Sequence, residues 1–288
     1  MLREPATPVS IIRFFAVVAA ALLCAATAAC AADPPRRVVT LNLCLDQLVL
    51  ALAAPGQVVG VSDIAHDPRI SPRWREARAL PPVRKHAEEI LALRPDLLIV
   101  DEFLTPSLRK TLRLAGIPTL ELAEADGIGA TLDHIARIGA ALGRPAAALD
   151  LAASLREGVA RWTAAAGPAS PVAAIYQANG MTLGRDTNAD GLLRIAGWRN
   201  LAAERGLSLF VPMAMEELIV ATPDLLILDG ETSDRPSLAE QMMTHRAARR
   251  AFAGARTLVM PHSLWLCGGP QNVEALRLLA GAREALKR

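Results

Sequence analysis

The residues able to do chemistry in this chain are scattered and belong mostly to binding types. Among the standard signatures of an enzyme, no nucleophile elbow, phosphate-cradling glycine loop, HExxH or CxxC occurs. Gly184-Arg185-Asp186 is not a nucleotide motif. His66 and His86 each carry an imidazole able to ligate a metal. Isolated histidines far apart in sequence are otherwise ordinary surface residues. Arg84 and Lys85, beside His86, offer cations for a carboxylate or similar oxygen, against the bland alternative of a solvated loop. Of four cysteines, Cys24 and Cys30 fall in the N-terminal segment, leaving Cys44 and Cys267. No cysteine spacing resembles a zinc site.

Composition narrows the classes further. The chain has 288 residues, room for two lobes or one large α/β domain. A formal net charge of +2 gives no reason to expect a nucleic-acid partner. Aromatic residues are only 3% of the chain, which argues against a sugar-stacking or RNA-binding surface and makes each loop aromatic worth weighing.

The first 32 residues read as an export signal. Arg3 and Arg13 are followed by the apolar run Phe14 to Leu23 and then by small residues through Ala32. That run is too short to span a bilayer. Cleavage near Ala29 or Ala32 is expected; Cys30 is a poor lipid-acceptor site, because the usual large aliphatic residue three positions earlier is missing, and a lipid anchor there is the lesser alternative. An oxidising destination permits a bridge between Cys44 and Cys267.

These residues must be positioned by the elements around them. Arg37 to Leu41 is a β-branched run suited to a buried strand, and Gln47 to Ala53 has a helical pattern broken by Pro55-Gly56. Val58 to Val61 is a second short strand. Helix 87–93 leads through Arg94-Pro95-Asp96 into strand 97–100. Strands alternating with helices in this way imply parallel sheets covered on both faces. Residues 130–142 and 146–165 are helical in period, and Val172 to Tyr176 restarts the alternation.

A repeat gives the architecture. Glu88 to Val100 matches Glu216 to Leu228, with seven of thirteen positions identical, 128 residues apart. Its physical content is a helix stopped at proline, an aspartate turn and a buried strand. Two copies flanking a long helix indicate two similar α/β lobes with parallel sheets. The expected divisions are a signal peptide over 1–32, an N-terminal lobe over 33–143, a connecting helix over 144–167 and a C-terminal lobe over 168–288.

At this repeat the sequence resembles the periplasmic binding proteins for ferric siderophores, haem and cobalamin. Further matching pieces are Gly184 with Thr187 to Leu193, Ala196 to Leu201 and the loop-helix from Leu264. The resemblance implies two Rossmann-like lobes joined by one rigid helix, with a ligand cleft between them. It implies a non-catalytic monomer in the periplasm, without a cofactor of its own, that captures a metal chelate and delivers it to an ABC permease in the inner membrane. Glu88 and Glu216 match the glutamates that dock into permease arginines; glutamate also simply favours the first turn of a helix.

Ligand contacts are expected in the loops after the strands. In the first lobe these are Asn42, Cys44, Asp46, His66, Arg84, His86, Glu102 and Phe103. In the second they are Gln177, Asn179, Phe210 and Trp265. Phe210 matches a position where cobalamin-binding relatives carry a cleft tryptophan. Trp265 lies in a glycine-rich stretch, where an aromatic can hold a greasy chelate or simply cover its own lobe. Cys44 and Cys267 are expected at the cleft edge of opposite lobes, where they can bridge, touch ligand or remain thiols. A ferric siderophore calls for inward arginines; cobalamin calls for aromatics and neutral polar groups. The loops hold both kinds, and siderophore leads only because that class is commoner. An exported metal-dependent or chelatase-like enzyme on the same fold is the alternative.

Overall fold

The computed structural model describes residues 33–229 and 256–287. The expected signal segment, with Cys24 and Cys30, lies outside the described residues.

The first lobe is built on a parallel sheet in the order β3-β2-β1-β4-β5. Its strands are β1 (Val38–Thr40), β2 (Val58–Ser62), β3 (Pro82–Val83), β4 (Leu97–Asp101) and β5 (Thr119–Leu122). Helices α1 (Leu43–Leu52), α2 (Trp74–Ala77), α3 (Ala87–Ala92), α4 (Pro106–Leu114) and α5 (Ile128–Ala141) accompany it. The central strands are apolar on both faces, as a sheet covered on both sides requires. Val38, Leu97 and Ile99 meet Leu48, Val49, Ile135 and Ile138 on one side. Val39, Leu98 and Val100 meet Ile90, Leu108 and Leu112 on the other. Each such side chain, taken fully from water, contributes about 1.5–3 kcal/mol.

The second lobe repeats the plan. After α6 (Pro145–Trp162) come β6 (Val172–Tyr176), β7 (Met181–Leu183), α7 (Asn188–Ile195), β8 (Arg199–Asn200) and α8 (Leu201–Glu204). Then follow β9 (Phe210–Pro212), α9 (Met215–Ala221), β10 (Leu225–Asp229), β11 (Arg256–Met260), α10 (His262–Trp265) and α11 (Asn272–Leu286). Its parallel sheet runs β11-β10-β6-β8, and β7 pairs antiparallel with β9. The order β2-β1-β4-β5 of the first lobe therefore reappears as β8-β6-β10-β11.

The sequence repeat falls on equivalent places in separate sheets, with α3 leading to β4 and α9 to β10. In both copies the residue just before the proline lies in the left-handed region, Arg94 at φ 45° and Thr222 at φ 44°. The aspartate that follows each proline then reaches back to the lobe's first strand. Asp96 accepts from the Arg36 and Arg37 amides at 2.7 and 2.8 Å, and Asp224 from the Val172 amide at 2.7 Å. Each aspartate thus pins the register of two adjacent strands at their N-terminal ends. This gives the proline-aspartate pair a mechanical reason to occur twice.

Helix α6 serves both lobes. Ala148, Ala152 and Leu155 are buried in the first lobe's core, while Val159 and Trp162 pack against the second. It ends at Trp162, short of the expected 165, and the Thr163 backbone turns extended. Helix α1 starts earlier than its periodicity suggests. The Asn42 side-chain oxygen accepts from the Cys44 and Leu45 amides at 2.8 and 3.1 Å, a capping geometry that pulls residues 43–46 out of the loop and into the first turn.

Candidate ligand-binding site

In a doubly wound sheet the strand order reverses at one point, and the loops leaving the C-terminal ends there diverge to leave a crevice. In the first lobe that point lies between β1 and β4. The loop after β1 supplies Asn42 and the first turn of α1 supplies Cys44; the loop after β4 supplies Phe103, with Asp101 at the strand's end. A cavity of about 90 Å³ opens there between the lobes. Asn42, Cys44, Asp101 and Phe103 line it, together with Glu124 and His134 and, from the second lobe, Leu266, Cys267 and Gly268.

Asp101, only 6% exposed, organises its polar wall. It accepts from Asn42 Nδ2 at 2.8 Å, from Lys85 Nζ at 3.0 and 3.1 Å and from the Phe103 amide at 3.1 Å. One carboxylate so ties together the loops after β1, β3 and β4. Phe103 is left 63% exposed. Cys44 and Cys267 form a disulfide, with Cα atoms 5.0 Å apart, that crosses from the first turn of α1 to the second lobe's terminal segment. Gly268 stands beside it for a steric reason: a Cβ there would lie 2.0 Å from Thr131 Oγ1 on α5.

The other expected contacts are placed elsewhere. Asp46, on α1, is fully buried and cannot touch a ligand in the cleft. Its carboxylate accepts from the Ser62 hydroxyl and, at 3.4 Å, from the Ser62 amide. Burial pushes its pKa up to about 7, a rise that the Ser62 hydrogen bonds only partly offset. Trp265 is likewise not a cleft aromatic. It is 1% exposed in the second lobe's core, because the stretch expected as a loop folds as α10 and turns the indole inward. Gln177 is 4% exposed, and its Nε2 lies 2.9 Å from His262 Nε2.

Arg84 pairs with Glu89 at 2.9 Å, and His86 Nδ1 lies 3.5 Å from the same carboxylate. Glu102 accepts from the Glu124 amide at 3.2 Å and so shapes the loop after β5. Asn179 sits exposed at φ 60° in the turn after β6. His66 Nε2 is buried without a hydrogen-bond partner. Phe210 is 56% exposed on β9 and lies outside the cavity. Glu88 and Glu216 are both exposed, in the first turns of the equivalent helices α3 and α9. Within the first pair the residues part company, since Glu89 is taken by Arg84 and Glu88 makes no ion pair among the described residues.

His134 escaped the sequence reading. It is 5% exposed and lines the cavity from α5. Its signal was an imidazole set into the helix's apolar stripe beside Thr131, Ile135 and Ile138. Among the described residues, no group of histidine, cysteine and carboxylate side chains is arranged to hold a metal ion by itself.

Comparison with known proteins places this architecture. The chain is 30% identical over 205 residues to cobalamin-binding proteins of two Halobacterium salinarum strains, a match over 70% of this chain. It spans about half the length of those curated relatives, 55%. Among solved structures, it is similar to a periplasmic heme-binding protein from Roseiflexus sp. RS-1 in apo form (TM-score 0.70, 26% identity, covering 86% of this chain and 99% of that one). It is similar also to a periplasmic heme-binding protein from Pseudomonas aeruginosa (TM-score 0.69, 27% identity, 87% and 94% covered). The periplasmic vitamin B12 binding protein of Vibrio cholerae shares the fold (TM-score 0.66, 16% identity, 88% and 99% covered). The model of the periplasmic binding protein family matches residues 38–260, and this two-lobed chain belongs to that family.

Proposed function

We propose that this chain is the substrate-binding component of an ABC importer, working outside the cytoplasmic membrane, and that its ligand is a corrinoid, a cobalt-bearing tetrapyrrole. The observation that carries the ligand class is the lining of the inter-lobe cavity, which an arm of the ligand would meet. Its polar groups are an amide, an imidazole and carboxylates, and among the described residues no arginine or lysine lines it. The nearby cations are engaged, Arg84 by Glu89 and Lys85 by Asp101. A ferric siderophore, favoured by frequency alone, calls for inward cations that the described residues do not present. Phe103 and Phe210, among the described residues one exposed phenylalanine per lobe, supply apolar area for a macrocycle. The 30% identity to cobalamin-binding proteins supports the same choice.

Delivery to the permease uses Glu88 and Glu216, carboxylates on two lobes whose spacing α6 and the disulfide restrain. Such an arrangement forms a two-point address for cationic partners. The protein works as a monomer, without nucleic acid and without a resident cofactor.

Isothermal titration of the purified chain with cyanocobalamin, hemin and several ferric siderophores tests the ligand class. Saturable micromolar or tighter binding of cyanocobalamin, weakened in Phe103→Ala, is the expected result. Tight binding of a siderophore or hemin alone refutes the corrinoid assignment. Trp265→Ala is unsuitable for mapping the cleft, because that ring is core.

A further inference from the structure

The inter-lobe cavity is too small for the chelate itself. Pockets that enclose drug-sized ligands run to roughly 300–1,000 Å³, whereas this one holds about 90 Å³. It is under a third of the smallest of these. A macrocycle must therefore lie outside it, and only a side arm can enter.

The polar groups on its wall are not equally available. Asp101 already receives hydrogen bonds from Asn42, Lys85 and the Phe103 amide, and the Asn42 oxygen is taken by two backbone amides. His134 differs. The residue is 5% exposed, lines the cavity and makes no hydrogen bond among the described residues. Burial pushes its pKa down, so the ring is neutral near pH 7 and offers one N–H donor and one lone pair. Lys85 offsets the charge of Asp101, but Glu124 at the wall leaves the surroundings unfavourable to an anion.

We infer that this cavity is a subsite for one primary-amide arm of the corrinoid, with His134 as its hydrogen-bonding partner. An amide presents both an N–H and a carbonyl, the complement of a neutral imidazole. A carboxylate arm can only accept, and it meets Glu124. The subsite so selects amide-bearing over carboxylate-bearing tetrapyrroles. It rests on the corrinoid assignment.

The test is isothermal titration of the full chain with cyanocobalamin and with its separated monocarboxylates, in each of which one peripheral amide has been hydrolysed. The wild type should bind one monocarboxylate about tenfold more weakly than the parent, the worth of one buried hydrogen bond. His134→Ala should bind the parent about tenfold more weakly and no longer distinguish that monocarboxylate. His134→Gln, which keeps a donor and an acceptor, should retain part of the preference. If His134→Ala fails to fold, His134→Gln and the wild-type series decide the matter. Corrinoid binding that ignores both substitutions, or a wild type that distinguishes no monocarboxylate, overturns the subsite and leaves the ligand class standing. A visible-spectrum change of the bound cobalt that vanishes in His134→Ala, without amide preference, means metal ligation and also overturns it. Binding of hemin or a siderophore but of no corrinoid overturns the ligand class and the subsite together.

Discussion

Asp46 should make this protein less stable as the pH rises from acid to neutral. Its carboxyl is fully buried, and burial lifts its pKa from 3.8 to about 7. In the unfolded chain the proton leaves near pH 4; in the folded chain it stays until about pH 7. Between those values the folded state binds more protons, so stability falls with increasing pH. The contribution is fully present below pH ~4 and lost as pH passes ~7. About three pKa units at 1.36 kcal/mol each give a change on the order of 4 kcal/mol. Asp46→Asn keeps a side-chain oxygen for Ser62 and removes the ionisation. Denaturant unfolding of both proteins at several pH values between about 4 and 8 reads the effect. Other titrating groups cancel in the difference, which should move by several kcal/mol in favour of the variant across that window. Parallel stability curves would refute a buried, protonated Asp46.

Reducing the Cys44–Cys267 bridge, or replacing both cysteines by serine, should cost up to about 5 kcal/mol, because the bond closes a 223-residue separation. A change in unfolding free energy below about 1 kcal/mol would contradict that restraint. Gly268→Ala should destabilise the lobe junction by about 1–3 kcal/mol through its clash with Thr131, and Thr131→Ala should recover part of the loss, as thermal melts of single and double variants would show. Reversing both Glu88 and Glu216 to lysine should abolish uptake in cells carrying the cognate permease while leaving ligand affinity in isolation unchanged. Normal uptake would remove the docking assignment. Replacing Asp96 or Asp224 by alanine should destabilise its own lobe by about 0.5–1.5 kcal/mol, since strand-end amides lose a charged acceptor at an exposed site where water takes its place.

The two-lobed plan was legible in the sequence because its cause is local. A helix stopped by proline, an aspartate at the turn and an apolar strand are written in consecutive residues, and their recurrence 128 positions later announces a second lobe. The first-turn glutamates were legible for the same reason. The connecting helix could be read from its period, though not its end at Trp162, where the chain leaves the helix without a glycine or proline.

Where the loop residues lie was decided only by tertiary structure. Asp46 and Trp265 looked like cleft residues because a loop residue's direction is not encoded by its neighbours. The Asn42 cap drew Asp46 onto a helix face turned to the core, and α10 rolled Trp265 inward. The Cys44–Cys267 pair was only one of three readings, since residues 223 apart meet or not according to how the lobes pack. His134 was hidden by its own pattern: an imidazole in an apolar stripe reads as core until the opposite wall is known. Periodicity reports which face of an element is buried. It is silent about what that face is buried against, and the composition of the cavity depends on that second fact.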